Sequence, residues 1–311
     1  MPRHAVTLLS LVVLWSQCVI ATGRPIAIRR VDELTRGLPP RGLQALTGSQ
    51  FAEAIATLGG RPREEAILRE ILAGNVPSFL RRLVPVELTD RTVGGRPVRA
   101  TIFVMPDYLA IGSETDFLRI PMNLETATAI AARFHCVLPT RKMVDAIYEQ
   151  SVYHFVPEPL APGPNMRSTD YYRTHNQLID RQARDRGIPV GPLVSGHKKD
   201  VVVTNLLARA PGRIAIYGWH RPDGAPIQPL STVHGACYAD YSHGIRLVSE
   251  MAVENGTFQS VRDLLQDPVV ANALSDEGAI RPVPADGVPP VGEGPCGRGI
   301  YSTVLQQRNP R

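Results

Sequence analysis

Histidines cluster in one part of this sequence. Four of the eight lie between residues 197 and 243, at His197, His220, His234 and His243. Histidine is the usual general acid or base near neutral pH and a frequent metal ligand. Each of the four follows a predicted strand or adjoins a glycine, where loops present side chains from a rigid scaffold. This stretch is therefore the first candidate for a site of chemistry.

The densest segment runs from residue 234 to residue 244 and reads HGACYADYSHG. A nucleophilic mechanism needs a base within reach of the nucleophile and an acceptor that orients the base. The candidates are Cys237 or Ser242 as nucleophile, His243 as base, Asp240 or Asp200 as its acidic partner, and His197 and His234 as oxyanion or substrate contacts. Small residues between these polar ones leave room for a substrate. We expect a His-centred site here.

Substrate contacts are expected from side chains in the same part of the chain. The Trp219 ring suits stacking on a sugar, and the other candidates are His220, Tyr241 and Arg246. The neighbouring pair Lys198-Lys199 can bind an anionic group near His197. Such pairs are more often solvated surface, and that interpretation is favoured here.

Part of the segment resembles the active-site signature of L,D-transpeptidases. That signature has a His-Gly pair, a variable spacer and Ser-His-Gly-Cys, followed by an Ile-Arg-Leu-like strand. Here His234-Gly235 and the SHGIRL string of residues 242–247 match most of it. Ile245 stands where that family has its nucleophilic cysteine, and the spacer is shorter. The resemblance is confined to this segment, and we assign no family from it.

Two alternatives to a nucleophilic enzyme stay open. A metal-dependent hydrolase would use ligands of the types that zinc takes, namely His197, Asp200, His220 and His243, although no HExxH or CxxC motif occurs. A non-catalytic cell-envelope or glycan-binding protein would use the same polar cluster without turnover. The leading interpretation implies no cofactor.

The elements that must position these residues change in type along the chain. Helix signals dominate residues 24–83, where an extended lead-in precedes a small helical lobe. Residues 84–280 mix strand-like runs with helices, among them residues 121–134, 141–150 with Thr140 as N-cap, and 168–186. A Pro/Gly-rich tail occupies residues 281–311. The blocks predict an α+β fold with a helical N-terminal lobe and a mixed, β-rich C-terminal half.

The N-terminus predicts export. A short basic start, an uncharged apolar stretch to Ile20 and small residues at Ala21 to Gly23 form the pattern of a signal peptide over residues 1–23. The apolar stretch is shorter than the roughly 20 residues that cross a bilayer. No other stretch is apolar enough, so we expect no membrane span after leader removal and a secreted or periplasmic protein.

Charge and cysteines narrow the expected partners. The formal net charge is +5, but the basic residues are scattered and no aromatics interleave with them, which argues against nucleic-acid binding. An exported basic protein suits an anionic polymer. We therefore expect a hydrolase or transferase of an extracytoplasmic polymer or oligomer, such as peptidoglycan, a peptide or a glycan. Cys136, Cys237 and Cys296 remain without the leader, and their pairing is left open.

Overall fold

Residues 37–280 and Cys296 are described by the structure, which is a computed structural model. Its α-helices are, in chain order, α1 (Gly48–Ala54), α2 (Gly60–Leu72), α3 (Leu124–Arg133), α4 (Arg141–Gln150), α5 (Thr169–Asp185), α6 (Leu206–Arg209) and α7 (Val261–Gln266). Short 3-10 helices occupy Ser78–Arg81, Pro164–Arg167 and Ala271–Ala273. The predicted signal peptide and, apart from Cys296, the tail lie outside the described residues.

The strands are short and concentrate in the C-terminal half. They are β1 (Val84–Arg91), β2 (Pro97–Val104), β3 (Ala110–Gly112), β4 (Phe117–Arg119), β5 (Cys136–Val137), β6 (Tyr153–His154), β7 (Val194–Ser195), β8 (Lys199–Val201), β9 (Ile216–His220), β10 (Pro226–Ser231), β11 (His243–Gly244), β12 (Val248–Ser249), β13 (Met251–Glu254) and β14 (Thr257–Ser260). Helices lie mostly N-terminal and strands mostly C-terminal. The α+β prediction is confirmed.

Local capping accounts for the helix boundaries. Thr47 caps α1: its hydroxyl accepts from the Gln50 N–H, and the Gln50 side chain accepts from the Thr47 N–H. Thr140 caps α4 as predicted, since its hydroxyl accepts from the Met143 N–H. Helix α5 begins at the Ser168 cap, and its largely polar sequence is typical of an exposed helix. It instead buries one face, because Tyr172 and its neighbours along that face pack inward.

Two sheets organise the β-rich half. The larger has six strands in the order β14-β13-β2-β12-β5, with β1 paired to β2. The smaller has the order β10-β9-β8-β11, and only its β8–β11 pair is parallel. Strand β11 carries His243 in register with Lys199 of β8, and Gly244 in register with Asp200. The smaller sheet therefore brings two distant parts of the predicted site together.

One apolar core joins the helical lobe to the strands that carry the site. Phe51 and Ile67 of the lobe belong to the same buried cluster as Ile130 of α3, Ile216 of β9 and Ile245 just after β11. A second cluster lies around the larger sheet. Among the helices described, none has the length and apolar character needed to cross a bilayer.

Candidate functional site

His243 is the centre of the candidate site. Its side chain is fully buried, and neither ring nitrogen has a hydrogen-bond partner. Burial lowers the pKa of the imidazole to about 4, against the attraction of Asp240, which acts to raise it. The ring is therefore neutral at pH 7. A buried neutral imidazole with free nitrogens can accept a proton from a reacting group.

Asp240 is committed to other partners. One carboxylate oxygen accepts the Ser242 N–H at 2.8 Å and the Ser242 hydroxyl at 2.5 Å, and the other accepts the Tyr238 hydroxyl at 3.0 Å. Although burial raises the pKa of this acid, His243 and the Ser242 hydrogen bonds hold it below its usual range. The sequence suggested a Ser242–His243–Asp240 relay. The structure corrects this, because the Ser242 hydroxyl donates to Asp240 and the His243 ring bonds to neither side chain.

Cys237 has no thiol available for chemistry. It forms a disulfide with Cys296, and the buried Cys136 is left free. The interpretation of Cys237 as a nucleophile is therefore corrected. Burial raises the pKa of the Cys136 thiol to about 12, which keeps it protonated and unreactive.

His234 and Tyr238 form the accessible edge of the cluster. Their rings stack with centroids 4.0 Å apart and an interplanar angle of 8°. Both are partly exposed, whereas His243 lies beneath, 6.4 Å from the His234 ring and 5.7 Å from the Tyr238 ring. A substrate that approaches His243 from this side meets the stacked pair first.

Lys199 lies on β8, in register with His243 of β11, and Trp219 lies one strand further away, on β9. The Lys199 amine lies 5.4 Å from the centre of the Trp219 ring. Trp219 is buried, and its expected stacking on a sugar stays a prediction. Its backbone has φ +57°, a strained conformation for a bulky residue, and its indole N–H has no partner. Strain and an unused buried donor are typical of functional sites.

Three other predicted site residues belong to a separate buried network. His197 contacts Asp107 at 2.9 Å, and Asp107 in turn pairs with Arg119. Asp200 accepts the Tyr108 hydroxyl at 2.7 Å, and burial raises the pKa of this acid to about 6. Arg246 donates to two backbone carbonyls and lies over the Tyr108 ring. These contacts hold β7, β8 and β11 together. They do not place the side chains of His197 and Asp200 in hydrogen-bond contact with the His243 ring.

His220 and Tyr241 are also held inside the fold. His220 contacts Asp145 at 3.0 Å and stacks on Tyr148, while the Tyr241 hydroxyl accepts from the Leu160 N–H. Both were expected to contact substrate, and this stays a prediction for two side chains that are buried. Across residues 37–280 and Cys296, no three His, Cys, Asp or Glu side chains converge as a metal site. The metal set proposed from sequence is therefore not assembled.

Lys198 is the residue that the sequence interpretation missed. It was expected on the surface, but it is buried and donates to the Tyr241 carbonyl at 2.6 Å, with His175 Nδ1 at 3.4 Å. Burial lowers the pKa of its amine to about 7. No local signal reports this burial, because Lys198 precedes β8 in a bend and its partners Tyr241 and His175 are distant in sequence.

Comparison with known proteins identifies no relative: no family model matches the chain, and no curated protein or solved structure matches it. The functional argument therefore depends on the geometry of the cluster.

Proposed function

We propose that this chain is an exported hydrolase or transferase that acts on an extracytoplasmic polymer, with His243 as its general base. The observation that carries the proposal is the buried, neutral His243 ring with two unpartnered nitrogens. Such a group is costly to keep in a fold unless a ligand uses it.

Export is supported by two independent features. The first 23 residues have the pattern of a signal peptide. The Cys237–Cys296 disulfide is typical of proteins that work in oxidising compartments outside the cytoplasm.

The geometry favours direct attack over a covalent intermediate. The Cys237 thiol is in a disulfide, and the Ser242 hydroxyl is held by Asp240. His243 instead takes a proton from the attacking nucleophile. In a hydrolase the nucleophile is water, and in a transferase it is an acceptor group on a second polymer molecule. The negative charge of Asp240 stabilises the imidazolium, which then returns the proton to the leaving group. The ammonium of Lys199 supplies positive charge beside the base.

The test is product analysis by mass spectrometry after incubation with purified cell-wall sacculi. The native protein is expected to release fragments, and the fragment masses identify the bond. His243→Gln is expected to lower the rate by about 10²–10⁴-fold, which is the usual contribution of a general base. His154→Gln is the matched control, because His154 is partly buried and contacts only the Tyr148 carbonyl and ring. It should retain full activity.

A non-catalytic envelope-binding protein is the second candidate. It is favoured by the closed Ser242–Asp240 hydrogen bond, which leaves no activated nucleophile in the resting structure. If the native protein binds sacculi but releases nothing, while His243→Gln stays folded and binds equally well, the enzyme proposal fails for this substrate and the binding protein takes its place.

A further inference from the structure

Three basic side chains surround the stacked pair, and we call them the basic rim: Arg167, Lys199 and Arg213. Arg167 and Arg213 are exposed, and Lys199 is half-buried. They come from three separate parts of the chain: the 3-10 helix before α5, strand β8, and the loop before β9. The fold therefore brings these three side chains together around the stacked pair, which is the accessible aromatic surface of the site.

Contacts hold each member of the basic rim in place. The Arg167 guanidinium lies 5.2 Å from the centre of the Tyr238 ring. Arg213 donates to the carbonyl of Val233, the residue before His234, and its backbone bridges to Gly235. Lys199 is in register with His243. The basic rim thus runs from the exposed face of the pair inward to the base.

The acid within the cluster attracts only the innermost member of the rim. Asp240 acts to raise the pKa of the Lys199 amine, which burial lowers. The ion pairs among the described residues include neither Arg167 nor Arg213. The two exposed guanidiniums are therefore available to an anionic ligand. Arginine binds carboxylates through two parallel hydrogen bonds, which gives orientation as well as attraction.

We propose that the basic rim and the stacked pair bind an acidic glycan, a polysaccharide that bears a carboxylate on its sugar repeat, and deliver it to His243. This inference rests on the proposed function and specifies its substrate class. The guanidiniums take the carboxylates, and the flat face of the Tyr238–His234 stack packs against the sugar ring. An acidic peptide would satisfy the charges but has no ring for the aromatic face.

The test measures dissociation constants for polygalacturonate, the neutral glucan pullulan and polyglutamate with the whole chain at physiological salt. Polygalacturonate is expected to bind, to weaken as salt is raised, and to bind more tightly than either of the other polymers. Arg167→Glu with Arg213→Glu is expected to weaken it by about tenfold, since two surface attractions become repulsions. Arg91→Glu with Arg99→Glu is the charge-matched control on the larger sheet, where both arginines are exposed and Arg99 lies 3.9 Å from Glu87. It should not change the dissociation constant.

Several results would overturn the inference. Equal binding of pullulan would remove the role of charge, and equal binding of polyglutamate would indicate a peptide ligand. Equal weakening by Arg91→Glu with Arg99→Glu would show attraction to overall positive charge. The two proposals can fail separately. Polygalacturonate binding without turnover of any polymer would contradict only the proposed enzymatic activity. Turnover with an unchanged KM in the Arg167→Glu, Arg213→Glu variant would contradict only the proposed role of the basic rim.

Discussion

At the residue scale, the chemistry depends on one imidazole kept neutral by burial. A histidine exposed to water titrates near pH 6.5, so it would be partly charged under mildly acidic conditions. Burial in the fold lowers the pKa of His243 to about 4, and the nearby amine of Lys199 acts in the same direction. The ring can therefore act as a base across the whole neutral range. Burying it uncharged has a cost, because it lowers the free energy of unfolding in acid.

That cost predicts how stability depends on pH. The pKa of His243 is about 4 in the folded chain and about 6.5 in the unfolded chain, so between these values the unfolded state binds more protons. The contribution of the neutral His243 ring to the free energy of unfolding is fully present above pH 6.5 and is lost as the pH falls. Between pH 7 and pH 5 this group should lower the free energy of unfolding by about 1–2 kcal/mol.

Urea denaturation at pH 7 and pH 5 checks this. His243→Asn has no titrating ring, so its loss of stability between the two pH values should be smaller than that of the native chain by that amount. An identical loss in both proteins would show that His243 does not titrate differently on folding.

At the element scale, the site is held by the parallel pairing of β8 with β11, and Gly244 permits it. A Cβ at this position would lie 2.5 Å from Cδ1 of Tyr108 and 3.0 Å from Cβ of Lys198. Both neighbours are buried and cannot move aside. Gly244→Ala should therefore destabilise the chain by about 1–3 kcal/mol through overpacking.

Gly235→Ala is the matched control for that measurement. Its Cβ would meet only the Gly212 carbonyl oxygen, at 3.9 Å, which is ordinary contact. Thermal unfolding should show a clear decrease in the melting temperature for Gly244→Ala and little change for Gly235→Ala. Equal melting temperatures for the two variants would mean that β8 and β11 can separate without a loss of stability.

Local sequence patterns predicted the helices and strands, whereas the arrangement of the site residues depends on contacts between residues distant in sequence. Helix α4 and its Thr140 cap follow from capping chemistry within four residues, so the sequence sufficed. The burial of Lys198 depends on Tyr241 and His175, which are distant in sequence, and no local pattern reports them. The prediction of His243 as base stays a prediction, although its surroundings were identified correctly only in part. Asp240 was named as its partner, but it bonds to Ser242 and Tyr238 instead.

At the scale of the whole molecule, one apolar core joins the helical lobe to the strands that carry the site, and a second core lies around the larger sheet. The disulfide adds a covalent link from the site loop to Cys296. Cys237 lies between His234 and Tyr238, and its partner Cys296 also donates its backbone N–H to Glu125 of α3. The loop that carries the stacked pair is thus anchored at both the sheet and the helix side. Its geometry should depend on the oxidised state.

Removing the disulfide should therefore cost both stability and function. It closes a loop of 59 residues, and the chain-entropy relation gives about 4 kcal/mol for a loop of that size. Cys237→Ser with Cys296→Ser should lower the free energy of unfolding by up to that amount, measured by urea denaturation. It should also reduce binding at the stacked pair. Cys136→Ser is the control, because Cys136 forms no disulfide and lies on β5 of the larger sheet, so its variant should keep native binding. Unchanged stability and binding in the double variant would show that the sheet contacts alone hold the site loop.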